Sequence, residues 1–148
     1  MREFTLEIVT PDHVFYRGPA QSLTVETASG SMGVLYGHEP VVAPLYPGLV
    51  EVRVEGKMRK AVSSGGFLEV LGEQTYMFVQ SIEWLDQIDI ERAHQAYERA
   101  KRHLEAAQKD HNKYEIQRHI WALERARMRL NATSELDGAG GVPSEDKK

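Results

Sequence analysis

The sequence predicts an all-β N-terminal sandwich of short strands followed by a C-terminal antiparallel two-helix hairpin. Three observations predict it. Residues 4–85 alternate apolar and polar side chains with a period of two and are broken by turn residues at short intervals. Residues 89–131 contain neither proline nor glycine. Within that second stretch the apolar residues recur at spacings of three and four, the repeat of a helix. A chain of 148 residues can bury one ordinary core, so one domain with an appendage is expected: a sandwich over 1–86, a hairpin over 87–132 and a polar tail over 133–148.

In the first part, Phe4, Leu6 and Ile8 point one way while Thr5, Glu7 and Val9 point the other. Leu23 with Val25, and Val50, Val52 and Val54 against Leu49, Glu51 and Arg53, repeat the scheme. Such half-buried strands need turns between them, and the breakers are present at Thr10-Pro11-Asp12, Arg17-Gly18-Pro19, Ser29-Gly30-Ser31, Gly37-His38-Glu39-Pro40, Tyr46-Pro47-Gly48, Glu55-Gly56-Lys57, Ser64-Gly65-Gly66 and Gly72-Glu73-Gln74. Many short strands with tight turns make a sandwich or barrel.

In the second part, Ile90, Ala93, Tyr97, Ala100 and Leu104 form one apolar stripe, and Ile116, Ile120, Leu123 and Leu130 form another. Asp89 is placed to cap the first helix, its carboxylate accepting from a free amide of the first turn. Lys109-Asp110-His111-Asn112-Lys113 is polar and poor in helix formers, which places the reversal there. Both stripes are narrow and partly alanine, so the seam between the helices is weak and the hairpin marginal on its own. From Ser134 onward the composition is too polar and glycine-rich to order itself.

Composition excludes several function classes. With no cysteine there is no disulfide, thiolate zinc site or cysteine nucleophile, which fits a reducing compartment such as the cytoplasm. The N-terminus has no long apolar run, so neither a signal peptide nor a membrane anchor is expected. A net charge of −4 argues against a general nucleic-acid binder. The charge is unevenly spread: residues 89–130 hold ten Lys/Arg against seven Asp/Glu, so the positive surplus sits in the hairpin. No phosphate-binding loop of the GxxxxGK[ST] form and no GxSxG elbow occurs. His94, His103, His111 and His119 lack the i, i+4 pairing that sets two ligands on one helix face, so they read as solvated histidines with no metal site. His38-Glu39 could serve as an acid–base pair, but adjacent residues diverge in extended chain and no nucleophile accompanies them.

The basic residues of the second helix carry more. At about 100° per residue Arg118, Arg125 and Arg129 cluster opposite Ile116, Ile120, Leu123 and Leu130, while Arg127 falls on the apolar side. Arginine's planar fork suits carboxylates and phosphates, so this row fits an acidic protein helix or a nucleotide phosphate; an ordinary solvated helix face is the competing reading. In the first helix Arg92 and Arg99 stand two turns apart on one flank with the small Ala96 between them, and Asp89 and Glu83 precede them. Carboxylates that accept from an adenine amino or ribose hydroxyl, beside guanidiniums that hold phosphate, would make a nucleotide site; an N-cap and exposed arginines explain the same residues.

Three spaced motifs then carry a resemblance. Gly30-Ser31-Met32-Gly33-Val34-Leu35-Tyr36-Gly37-His38-Glu39-Pro40, continuing to Leu45-Tyr46-Pro47-Gly48, resembles the signature loop of the epsilon subunit of bacterial F-type ATP synthases. Ser63-Ser64-Gly65-Gly66-Phe67-Leu68-Glu69-Val70 is similar to that family's second signature, and Ile88-Asp89-Ile90-Glu91-Arg92-Ala93 to its nucleotide-binding motif I(L)DxxRA. The match runs from residue 3 to about residue 132, with Tyr36 in place of the family's usual proline. The resemblance implies a non-catalytic regulatory and coupling subunit of the central rotor stalk, peripheral on the cytoplasmic face of the cell membrane. Its sandwich would grip the gamma subunit and stand on the c ring, with Ser31, Met32 and His38 at that contact. Its hairpin would be permissive when folded down and inhibit hydrolysis when extended, with Arg118, Arg125, Arg127 and Arg129 reaching an acidic segment of the catalytic beta subunits. Glu83, Ile88, Asp89, Arg92, Ala93, Arg99, Arg125 and Arg129 match the family's ATP site, implying ATP as a regulatory ligand with no required cofactor or metal. The alternatives are a helical-hairpin adaptor or chaperone anchored by the β domain, and a small enzyme using His38 and Glu39.

Overall fold

The computed structural model describes residues 2–137, with side chains through residue 133. They form two compact units that meet in sequence between Trp84 and Leu85.

The first unit holds ten strands: β1 (Phe4–Val9), β2 (Val14–Ala20), β3 (Ser22–Thr27), β4 (Gly30–Leu35), β5 (Val41–Leu45), β6 (Gly48–Val54), β7 (Lys57–Ser63), β8 (Gly66–Leu71), β9 (Gln74–Val79) and β10 (Ile82–Trp84). They hydrogen-bond in the order β10-β7-β6-β3-β5-β8-β9-β1-β2, with β4 on β3. Only β1 and β9 pair in parallel; every other ladder is antiparallel. A single register, Thr27 opposite Leu45, links β3 to β5. The ladder thus bends there, and its two halves pack over one core as a β-sandwich with β10 and β2 left as edges. Its core is the inward set that the period of two picks out: Leu6, Ile8, Leu23, Val25, Val34, Val52, Leu68, Val70 and Met77 are essentially inaccessible.

The turns follow their residues. Glu55 and Gly56 both have positive φ, 51° and 76°, as a two-residue turn between β6 and β7 requires. Gly66 sits where β8 runs so close to β9 that any Cβ would collide with the carbonyl oxygen of Phe78, which explains the glycine there.

Two expectations are corrected. Arg17-Gly18-Pro19 reads as a break, yet β2 runs through it, with Thr5 opposite Pro19. β2 ends the strand order, and an edge strand tolerates a residue with no amide to donate. The first half of the Gly30–Pro40 motif is strand β4 rather than loop, because Ser31, Met32 and Gly33 pair with Glu26, Val25 and Thr24.

The second unit starts with a 3-10 turn over Leu85–Gln87, followed by α1 (Ile90–Lys109) and α2 (Lys113–Asp137). Asp89 caps α1, its side chain accepting from the Arg92 amide at 3.1 Å. His111 takes φ 54° in the reversal, and the Asn112 side chain caps α2 by accepting from the Tyr114 and Glu115 amides. The helices pack against each other, and α2 also packs on the 3-10 turn. The buried residues of α1 are Ala93, Tyr97, Ala100 and Ala107. Ile90 remains exposed at the first helical position, and Leu104 is half-buried. α2 continues to Asp137, beyond the hairpin end expected at 132, since no glycine or proline occurs before Gly138. The rest of the expected tail, 138–148, lies outside the described residues.

Candidate functional site

The hairpin presents guanidiniums on two helices. Asp89 ends the chain's approach to α1, with one carboxylate oxygen committed to the Arg92 amide. Arg92 and Arg99 are both exposed, roughly a quarter turn from the buried stripe at 100° per residue. Arg99 lines a shallow groove along α1 together with Glu91, His94, Gln95, Glu98 and Arg102. Among the described residues none of Arg92, Arg99 and Arg125 forms an ion pair with a carboxylate, so their donors are available to an external anion.

His103 and His119 meet across the hairpin with ring centroids 5.3 Å apart, and His119 Nε2 lies 3.2 Å from Glu115 Oε2. That pairing defines the antiparallel register of the hairpin, which sets Arg92 level with Leu130 and Arg99 level with Leu123. Arg125 and Arg129 therefore lie at the same heights along the hairpin as the α1 motif. Sequence spacing within one helix could not reveal the histidine pair, because its two members come from opposite ends of the turn.

The other candidate residues divide by burial. Ala93 is inaccessible and Ile88 nearly so, so their side chains pack the unit and do not face solvent. Glu83 is an exposed residue of β10, in register with Val62 of β7. On α2, Arg118 is exposed and lies 3.8 Å from Glu115, Arg125 is exposed and Arg129 is half-buried. Arg127 corrects the expectation of a partner-facing row: it is only 6% exposed and donates to Glu124 at 2.6 Å. It lies on the sector of Leu123, Ala126 and Leu130, all buried, so the helical repeat turns it inward.

In the sandwich, Ser31 is exposed and donates to Glu26 at 2.7 Å. Met32 is half-buried and packs on the core. His38 lies in the loop after β4, bonded through Nδ1 to the Glu39 carbonyl at 2.7 Å. Ser31 and His38 thus sit at opposite ends of β4. Beside His38, the Tyr36 hydroxyl donates to Glu73 at 3.0 Å, and the Arg2 guanidinium lies 5.1 Å from the Tyr36 ring centroid. The bond to Glu73 raises the Tyr36 pKa above its ordinary value of 10.0. Among the described residues no group of three or more His, Asp or Glu side chains is arranged to hold a metal ion, and no helix is long and apolar enough to cross a membrane.

A small β-sandwich followed by an antiparallel helical hairpin with basic outer faces is the class of protein these features define. The beta-sandwich domain of the ATP synthase delta/epsilon chain matches residues 3–85, and the long alpha-helix domain of the same chain matches residues 86–134. The chain belongs to that family, the delta/epsilon chains of ATP synthase. It is 38% identical over 131 residues to the ATP synthase epsilon chain of Bacillus pumilus, covering 88% of this chain and 97% of that one. It is 34% identical over 135 residues to the ATP synthase epsilon chain of Caldicellulosiruptor bescii, covering 91% and 96%. Among solved structures it resembles a chain of the Euglena gracilis mitochondrial ATP synthase, OSCP/F1/c-ring in rotational state 1. That likeness has a TM-score of 0.72 and 28% identity, over 93% of this chain and 82% of that one. A chain of the Tetrahymena thermophila mitochondrial ATP synthase central stalk and c ring shares the fold, with a TM-score of 0.57 at 12% identity.

Proposed function

We propose that this chain is the epsilon subunit of the central stalk of an F-type proton-translocating ATP synthase, peripheral on the membrane, non-catalytic, and regulatory through a hairpin that changes position. In this reading the sandwich grips gamma and stands on the c ring, with the exposed Ser31 near one end of β4 and the half-buried His38 in the loop after the other as contacts. The extended hairpin brakes hydrolysis by bringing Arg118, Arg125 and Arg129 to an acidic segment of a beta subunit. Arg127, buried against Glu124, is left out of that contact.

The observation that carries the reading is the make-up of α1. Three of its four buried residues are alanine, and a buried alanine contributes about 2 kcal/mol less than a buried leucine would. A seam this thin supports two positions of the arm at similar free energy. The exposed arginines Arg92 and Arg99 of α1 and Arg118 and Arg125 of α2 supply the attraction that selects between them.

ATP is the regulatory ligand of the folded-down state, held by Asp89, Arg92 and Arg99 with Arg125 and Arg129 at matching heights. A ligand moves a two-state equilibrium only by its differential affinity; going from 1:99 to 99:1 takes about 5.5 kcal/mol. Isothermal titration of the full chain with ATP tests this half, and a flat trace at millimolar nucleotide rejects it. Replacing Arg118, Arg125 and Arg129 together by alanine tests the brake. The assembled enzyme should hydrolyse ATP severalfold faster, and an unchanged rate rejects the brake.

A further inference from the structure

Two large aromatic side chains stand in water on α2. Tyr114 is 90% exposed and Trp121 is 61% exposed, far more than bulky rings normally leave uncovered. At 100° per residue Tyr114, Arg118, Trp121 and Arg125 fall within one sector about 60° wide. They alternate ring, guanidinium, ring, guanidinium along roughly 16 Å of helix. All four are exposed. No carboxylate lies within the stripe; Glu115, 3.8 Å from Arg118 and 3.2 Å from His119, and Glu124, engaged by the buried Arg127, flank it. The opposite sector, with Leu123, Ala126, Arg127 and Leu130, is buried, so the stripe takes no part in packing this unit.

We infer that Tyr114, Arg118, Trp121 and Arg125 form one docking stripe, whose occupant is an acidic helix of a partner protein that also carries apolar side chains at helical spacing. The charge fixes the sign of the partner: two forked cations with no acid between them select carboxylates. The rings fix its second property. An acid-only partner would leave two exposed rings unused, whereas apolar side chains between the acids would cover them. Tryptophan, tyrosine and arginine are also the residues on which interface energy concentrates, with Trp121, flanked by both arginines, as the central anchor. This deepens the brake proposed above and rests on it, adding that the contact is aromatic as well as ionic.

The test uses the assembled ATP synthase carrying the full chain with Trp121→Ala, Tyr114→Ala, or Arg118→Ala with Arg125→Ala, and measures ATP hydrolysis and its salt dependence. Because Trp121 is exposed and alanine favours helix, helicity by circular dichroism should not change. Trp121→Ala is expected to weaken docking about tenfold and to release hydrolysis as the double arginine variant does, while leaving the salt dependence intact. Trp121→Phe, which keeps a ring, should retain more inhibition than alanine. If the arginine variant releases hydrolysis and neither aromatic variant does, the stripe is wrong and the ionic brake stands. If no variant changes hydrolysis, the brake itself is wrong and the stripe falls with it.

Discussion

Asp89 is given two tasks, capping α1 and accepting from a nucleotide, and the structure allows them to be separated. One carboxylate oxygen accepts from the Arg92 amide at 3.1 Å. Asp89→Ala removes both oxygens. Loss of a cap costs about 1 kcal/mol, which is roughly a fivefold rise in the population of the frayed first turn. The exchange rate of the Arg92 amide should rise by that factor. Asp89→Asn behaves differently: its side-chain oxygen still caps the amide, but the second position becomes an NH2 that donates and cannot accept. It gives up only the charge at the helix N-terminus, about 0.5 kcal/mol. Hydrogen exchange followed by mass spectrometry, with ATP titration of the same samples, reads the two roles. The expected pattern is fast Arg92 exchange in Asp89→Ala alone and weakened ATP binding in both variants. If Asp89→Asn binds ATP like the unaltered chain, Asp89 is a cap and nothing more. If Asp89→Ala leaves Arg92 exchange unchanged, the capping argument itself is wrong.

Other outcomes follow from the sandwich. Gly66→Ala forces a methyl onto the Phe78 carbonyl and should cost at least about 2 kcal/mol, seen as a lowered melting temperature of the β unit; an unchanged Tm would contradict the close approach of β8 and β9. The buried Thr75 hydroxyl finds no hydrogen-bond partner among the described residues. Thr75→Val should therefore be neutral or stabilising by about 1 kcal/mol, and clear destabilisation by chemical denaturation would refute this. Tyr36, whose pKa is raised by its bond to Glu73, stabilises the fold while protonated. That contribution is present below its ordinary value of 10.0 and is lost as pH rises through the higher folded value. The stability advantage over Tyr36→Phe should shrink in alkaline solution, and a constant difference would show that the bond contributes nothing.

Much of the molecule is legible from local chemistry. The period of two in Phe4, Leu6 and Ile8 marks the strand face that becomes core, Asp89 marks the start of α1, and Asp110-His111-Asn112 marks the reversal. In each case the cause lies within a few residues: pleat alternation, a side-chain oxygen near a free amide, a left-handed residue. Where a neighbour in space decides, the sequence alone misleads or is silent. Pro19 sits inside a strand because β2 is an edge, which is a property of the sheet. His103 and His119 share no spacing rule, and only the antiparallel register joins them. The inward face of Arg127 follows from the helical repeat, but its bond to the exposed Glu124 does not.

By itself the sequence determined the two-part division, the strand and helix periods and the sign of charge on the hairpin, because each is written in consecutive residues. Tertiary structure alone decided which charges and rings remain in water. Whether Arg125 and Trp121 face solvent while Arg127 and Ala93 do not depends on what packs beside them, and packing joins residues that the chain keeps far apart.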